Sequence, residues 1–474
     1  MDATIESPGS HSRLVVIGLV LLSWLFLGVT AAHSSIEVGA EDPGLTDIAR
    51  QISRGGRLRV SGLYLETRGT VQLDLDRFEV FTQDARILAG DRPLAIPDTA
   101  YYRGTVVGSP GSRAVVGFKS GGLIDGLITD GDEVWRLSGK ARLSGFGAER
   151  QSILEEFRDR PFDCQTETIP PADSYLDSME PSGLESDGLV AGTYAYSARV
   201  AVDTDWEFLQ KFGGDVAAAT DYVADVFAFS STIYEQEVGT SLYISYLKWW
   251  PGAHEGTDPW TKSSCSDALN EFRDYWRSNR GAVERTLVHL LSGKSTGCGI
   301  AASPSLCSQY SSYGLSGSLS GRFDPNSPLS GSGFWDILVV SHEIGHNFGS
   351  PHTHSYCNYS GNPDPVDACV PANYGPACNG QAGVLPVGCP GAGQRCGTIM
   401  SYCHLINGGY GNIALTFGAG HTYGEQSWRV PSRMNSYVAN QASYYPTCLA
   451  PVFIPIFNDG FETSNTSGWS SRKD

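Results

Sequence analysis

The chain is poor in positive charge: 33 Lys and Arg stand against 51 Asp and Glu, a formal net charge of -18. Nucleic acid and anionic lipid are both held by Lys and Arg that neutralise phosphates, so nucleic acid is excluded and no stable membrane partner is expected. None of the 11 cysteines belongs to the close CxxC pairs that a structural zinc ribbon needs. There is no solenoid period. No EF-hand-like loop is present, which leaves Ca2+ possible but not indicated. Between positions 164 and 194 no paired basic residues mark a processing site, so a cut near residue 190 has no motif to fix it. Nothing in the sequence addresses the oligomeric state or substrate preference.

What is present is a folded composition, 41% hydrophobic and 18% charged over 474 residues, long enough for two or three units. "LVVIGLVLLSWLFLGVT" at 14–30 carries no charge and leads into "TAAHS", which reads as a signal peptide over residues 1–32. An uncleaved anchor helix is the alternative, since the run is near the roughly 18-residue minimum for a span. Cysteines in an exported chain favour disulfides. One of the 11 is left over, and Cys164 is the candidate, because the other ten lie between Cys265 and Cys448.

Residues 33–165 alternate short apolar strands with turns and read as a β-rich domain; 166–192, rich in Pro, Ser, Asp and Glu, read as a linker. From 193 to 448 the character changes. "ARVAVD", "SLYISYL" and "RTLVHLL" read as strands, and helical spacing appears over 215–234 and at Leu269, Phe272 and Trp276. Strands alternating with helices predict an α/β architecture, a sheet covered by helices. Residues 449–474 read as a short tail.

The chemistry concentrates in "SHEIGHNFGSPH" at 341–352. His342 and His346, four apart on a helix, share one face, so their ring nitrogens can converge on one ion. Gly349 permits a left-handed turn that ends the helix and lets His352 return to that ion; His354 is the runner-up third ligand. Three neutral nitrogens leave zinc's fourth position open to water, and Glu343 stands beside it as a general base.

"HEIGHNFGSPH", with Met400 in "CGTIMSYC" and the stretch "DTDWEFLQKFGGDVAAATDYVADVFAFSSTIYEQEVG", resembles the metzincin metalloproteases of the reprolysin or adamalysin type. These occur among snake-venom metalloproteases and the disintegrin-and-metalloprotease proteins. The resemblance covers about residues 194–448 and implies a metzincin catalytic domain: a twisted mixed sheet with helices, an active-site helix and a Met-turn, preceded by a β-rich propeptide domain. It implies one catalytic Zn2+ on His342, His346 and His352, Glu343 as general base and Met400 as the floor of the site. Gly299, Ile300 and Ala301 would lie on the edge strand that pairs with an extended substrate.

It further implies a Cys307–Cys448 bond, and the insertion at 357–396 would reshape one side of the cleft. Because residues 101–137 resemble the family's propeptide, Cys164 becomes a possible cysteine switch; a disulfide from Cys164 into the catalytic domain is the alternative. His289, His404 and His421 read as surface or satisfied core residues. "FNDGFETSNTSGW" near the end resembles a short C-terminal sequence of secreted bacterial proteins. The expected protein is a secreted zinc metalloendopeptidase made as a zymogen and acting on proteins or peptides. The alternative is a non-catalytic binding or adhesion protein on the same scaffold.

Overall fold

The computed structural model describes residues 35–131, 133–140, 144–147, 163–165, 195–322 and 332–452. The expected signal peptide and linker, and the tail beyond 452, lie outside the described residues.

Ten strands precede residue 150: β1 (Ile36–Gly39), β2 (Arg57–Leu65), β3 (Gly69–Phe78), β4 (Phe81–Ala89), β5 (Arg92–Leu94), β6 (Ala100–Val106), β7 (Ser109–Phe118), β8 (Leu123–Asp130), β9 (Glu133–Lys140) and β10 (Ser144–Gly147). Alternation explains them. In β2, Leu58, Val60, Leu63 and Leu65 are buried while their neighbours are not, and the pattern skips a residue where its pairing with β3 shifts register, as a bulge does. Eight of the ten pair in the order β1-β2-β10-β9-β8-β7-β6-β3, and β2 also pairs with β3. The sheet therefore closes on itself around a core that includes Leu58, Tyr102, Val116, Phe118 and Trp135.

The remaining two, β4 and β5, belong to a second sheet. This sheet also holds β11 (Asp163–Cys164), β12 (Ala195–Thr204), β13 (Thr240–Trp249), β14 (Leu287–Leu291), β15 (Cys298–Ala301) and β16 (Tyr313–Ser316), in the order β11-β15-β16-β14-β12-β13-β4-β5. A ninth strand, β17 (Leu449–Val452), lies within the tail expected from residue 449 and pairs antiparallel with the start of β12. The strands expected at "ARVAVD", "SLYISYL" and "RTLVHLL" are β12, β13 and β14. Each carries apolar residues at consecutive positions rather than alternate ones because both faces are covered. Val200 and Val202 of β12 join one core and Ala201 the other.

Among the helices are α1 (Leu45–Gln51), α2 (Trp206–Gln210), α3 (Val216–Val238), α4 (Cys265–Asn279), α5 (Ser332–Asn347) and α6 (Arg429–Tyr444). Asp215 caps α3 by accepting from the amides of Ala217 and Ala218, and Gly239 ends it in the left-handed region at φ 69°. Residues of α3, α5 and α6 fill the core on one face of the second sheet and residues of α4 fill the other.

Five disulfides join Cys265 to Cys298, Cys307 to Cys448, Cys357 to Cys378, Cys369 to Cys403 and Cys389 to Cys396. The first ties α4 to the edge strand β15. Replacing Cys307 and Cys448 with serine cuts a tie across 141 residues and is expected to lower the unfolding free energy by about 4 kcal/mol; an unchanged urea midpoint would contradict this.

Candidate active site

From Trp335 onward α5 is buried along its length. Its N-terminal half is anchored by Asp336, which accepts from the Tyr222 hydroxyl at 2.7 Å and from the amides of Ser320 and Gly321. The helix ends where the glycine stands. Gly349 has φ 85°, its amide donates to the His346 carbonyl at 2.8 Å, and the Ser350 amide donates to the Gly345 carbonyl at 3.1 Å. The chain reverses there and returns His352 to the face that carries His342 and His346.

The His342 Nε2 is 3.1 Å from that of His346 and 3.2 Å from that of His352. Backbone carbonyls set the tautomers: His342 Nδ1 is 2.6 Å from the Ile399 oxygen and His346 Nδ1 is 2.7 Å from the Ser350 oxygen. A carbonyl only accepts, so both Nδ1 atoms carry the proton and both Nε2 atoms present lone pairs to the shared point. Burial, then the neighbouring His346 and His352, hold the His342 imidazole well below its usual pKa and hence neutral. Nitrogen donors about 2.0 Å from a tetrahedral centre would lie about 3.3 Å apart. The spacing and donor chemistry fit zinc.

The fourth donor is Cys164, the one cysteine outside the five disulfides, so the structure does not adopt the alternative disulfide. Its Sγ is 3.3 Å from His346 Nε2 and 3.9 Å from Glu343 Oε2. Cys164, His342, His346 and His352 are all buried, with one ligand atom from each within 4.8 Å of the others. Cys164 arrives on β11, which runs parallel to β15 with Cys164 opposite Gly299. The Gln165 amide donates to the Gly299 carbonyl at 3.2 Å.

Two glycines make room for the site. A Cβ on Gly299 would collide with the Glu343 carboxylate, and one on Gly345 would lie 2.6 Å from the Met400 sulfur. Met400 is fully buried beneath α5. Its turn does more than fill space, because the carbonyl of the preceding Ile399 is the one that orients His342. Of the three residues expected on the substrate strand, Gly299 is level with Cys164, whereas the Ile300 side chain packs into the core on the α4 side. Ile300 and Ala301 are fully buried, so β15 meets β11 through its backbone.

The other histidines fall elsewhere. His354 stacks on His352 at 5.3 Å between centroids but is outside the four-residue cluster. His289 is buried with its Nε2 2.8 Å from the Ser316 hydroxyl, and burial pushes its pKa down to about 3. His421 Nε2 is 2.8 Å from the Cys396 carbonyl, and His404 stacks on Tyr410.

Motif reading missed Tyr402, two residues after Met400. Its ring centroid is 4.2 Å from that of His352, and its hydroxyl donates to the Cys164 carbonyl at 2.7 Å. An aromatic residue so close behind the methionine in "CGTIMSYC" was the available signal.

A histidine helix seated on a methionine turn, beside the edge of a mixed sheet, is the metzincin arrangement of a metallopeptidase. Residues 195–407 match the family model Reprolysin_5, metallo-peptidase family M12. Two Mus musculus proteins, disintegrin and metalloproteinase domain-containing proteins 1b and 1a, are each 23% identical to the chain, over 374 and 331 residues. The matches cover 73% and 67% of this chain but 42% and 38% of the relatives, under half of their length. A crystal structure of metalloproteinase-II from Bacteroides fragilis aligns with 14% identity over 73% of this chain and 98% of its own, at a TM-score of 0.35. Residues 195–407 are thus similar to the reprolysin-like metallopeptidases, and that likeness implies zinc.

Gly345→Ala is expected to destabilise the fold by about 1–3 kcal/mol through overpacking against Met400, and to weaken metal retention by loosening Ile399 from His342. Chelator competition and urea unfolding measure both. Wild-type values in the two assays would show that Met400 yields freely.

Proposed function

We propose that the chain is the latent form of a secreted zinc-dependent endopeptidase. The observation that carries this reading is Cys164 Sγ standing within the three-histidine donor set while β11 covers the edge strand beside Glu343. Five disulfides support an extracellular protein.

His342, His346 and His352 would hold a zinc ion, which would supply Lewis acidity toward a water and toward the carbonyl to be cleaved. Glu343 accepts the proton of the attacking water and passes it to the leaving amine. The Gly299 carbonyl, which now accepts from Gln165, pairs with the backbone of an extended peptide. Tyr402 directs its hydroxyl at a peptide carbonyl of β11 and would do the same for a substrate carbonyl beside the scissile bond. Cys164, whose sulfur as a thiolate is a strong donor for zinc, would complete the donor set and shut out water.

The test is casein and mixed-peptide cleavage by zinc-loaded unprocessed chain, by Cys164→Ala, and by Cys164→Ala with Glu343→Gln. The cysteine variant is expected to exceed the parent at least about tenfold, and the added Glu343→Gln to lose about 10²- to 10⁴-fold. No gain in Cys164→Ala would sink the latch. Zinc binding without cleavage in any form would favour the non-catalytic binding scaffold.

A further inference from the structure

We propose that the closed β-domain of residues 35–147 is a lasting subunit of the active enzyme: activation withdraws the β11 segment, while the domain stays docked through β4 and β7. The proposal rests on the latent-enzyme reading above. It concerns a surface with a defined partner, the outer edge of the catalytic sheet and the N-terminal domain of the same chain.

The two attachments differ greatly in extent. At the active-site edge β11 pairs two residues with β15, Asp163 with Cys298 and Cys164 with Gly299. At the opposite edge β4 runs parallel to β13. Ile244 there pairs with Phe81, and Tyr246, Leu247, Lys248 and Trp249 pair with Arg86, Ile87, Leu88 and Ala89. This pairing is closed at both ends, by the Ile244 amide on the Val80 carbonyl at 2.8 Å and the Gly90 amide on the Trp249 carbonyl at 2.9 Å. Bared, β13 would be an apolar strand with a row of unpaired backbone groups, a template for aggregation.

Where it faces α3, the domain's outer surface is built as core. From Ala114 to the end of β7 every residue is buried: Ala114, Val116 and Phe118 point into the closed sheet, and Val115 joins Phe78, Phe81 and Ile87 in one cluster with Val223 and Phe227 of α3. A strand whose outer face met water would alternate to polar residues there. Polar contacts are equally specific. Lys119 lies 2.6 Å from Asp225, which also accepts from the Tyr101 hydroxyl at 2.7 Å, and Arg113 lies 2.8 Å from Glu237. The cavity between Val115, Leu127, Ala228 and Phe229 measures about 20 Å³, room for about one water.

The experiment uses the full chain with a protease recognition sequence inserted between residues 165 and 195, as wild type and as Cys164→Ala. After cutting, native size-exclusion with mass analysis is expected to show both pieces co-eluting in equal amounts in both forms. Hydrogen exchange should leave the amides of 87–89 as protected as before cutting. In Cys164→Ala the Gln165 amide should lose protection. Separation of the pieces in either form, or deprotection of 87–89, would overturn the proposal. Neither readout is catalytic, so a chain that cleaves no peptide still decides it.

Discussion

Imidazole nitrogens turned toward one another do not stay 3.2 Å apart, as in His342 and His352, or 3.1 Å apart, as in His342 and His346, unless the rings are gripped from behind. The Ile399 and Ser350 carbonyls grip two of them, each accepting the Nδ1 proton and so denying it to the side where the rings meet. Much of the surrounding structure serves that grip. The Gly349 turn delivers Ser350 and His352 together, and the methionine turn delivers Ile399. Gly345 lets that turn press against the helix. Burial holds the His342 ring neutral, and the convergence of the three rings is a donor set for a cation.

The same geometry explains why Cys164 matters. With three nitrogens fixed, the fourth corner is the one adjustable position, and it faces Glu343 and the outer edge of β15. The segment that lies along β15 places its thiol at that level, with Cys164 opposite Gly299. Tyr402 holds the carbonyl of the residue whose sulfur enters the cluster.

How much of this could be read from the sequence depended on distance along the chain. The active-site helix, its two histidines, the ending glycine and the returning His352 were legible because their geometry is encoded within 12 residues. Cys164 was legible by arithmetic, as the odd cysteine far from the rest. Pairings within 357–403 were not, since spacing leaves disulfide connectivity open. The Tyr402 contact to Cys164 spans 238 residues, and no local pattern reports it. "FTQDARILA" reads as a strand, but alternation cannot tell which sheet it joins. It leaves its own domain's sheet and extends the catalytic one.

In the proposed latent state the unprocessed chain would hold zinc by three histidine nitrogens and the Cys164 sulfur. X-ray absorption at the zinc edge of the zinc-loaded, unprocessed protein tests it most directly. The account requires one sulfur at about 2.3 Å with three nitrogens at about 2.0 Å, and loss of the sulfur shell in Cys164→Ala. A shell of nitrogen and oxygen alone in the wild-type chain would contradict it.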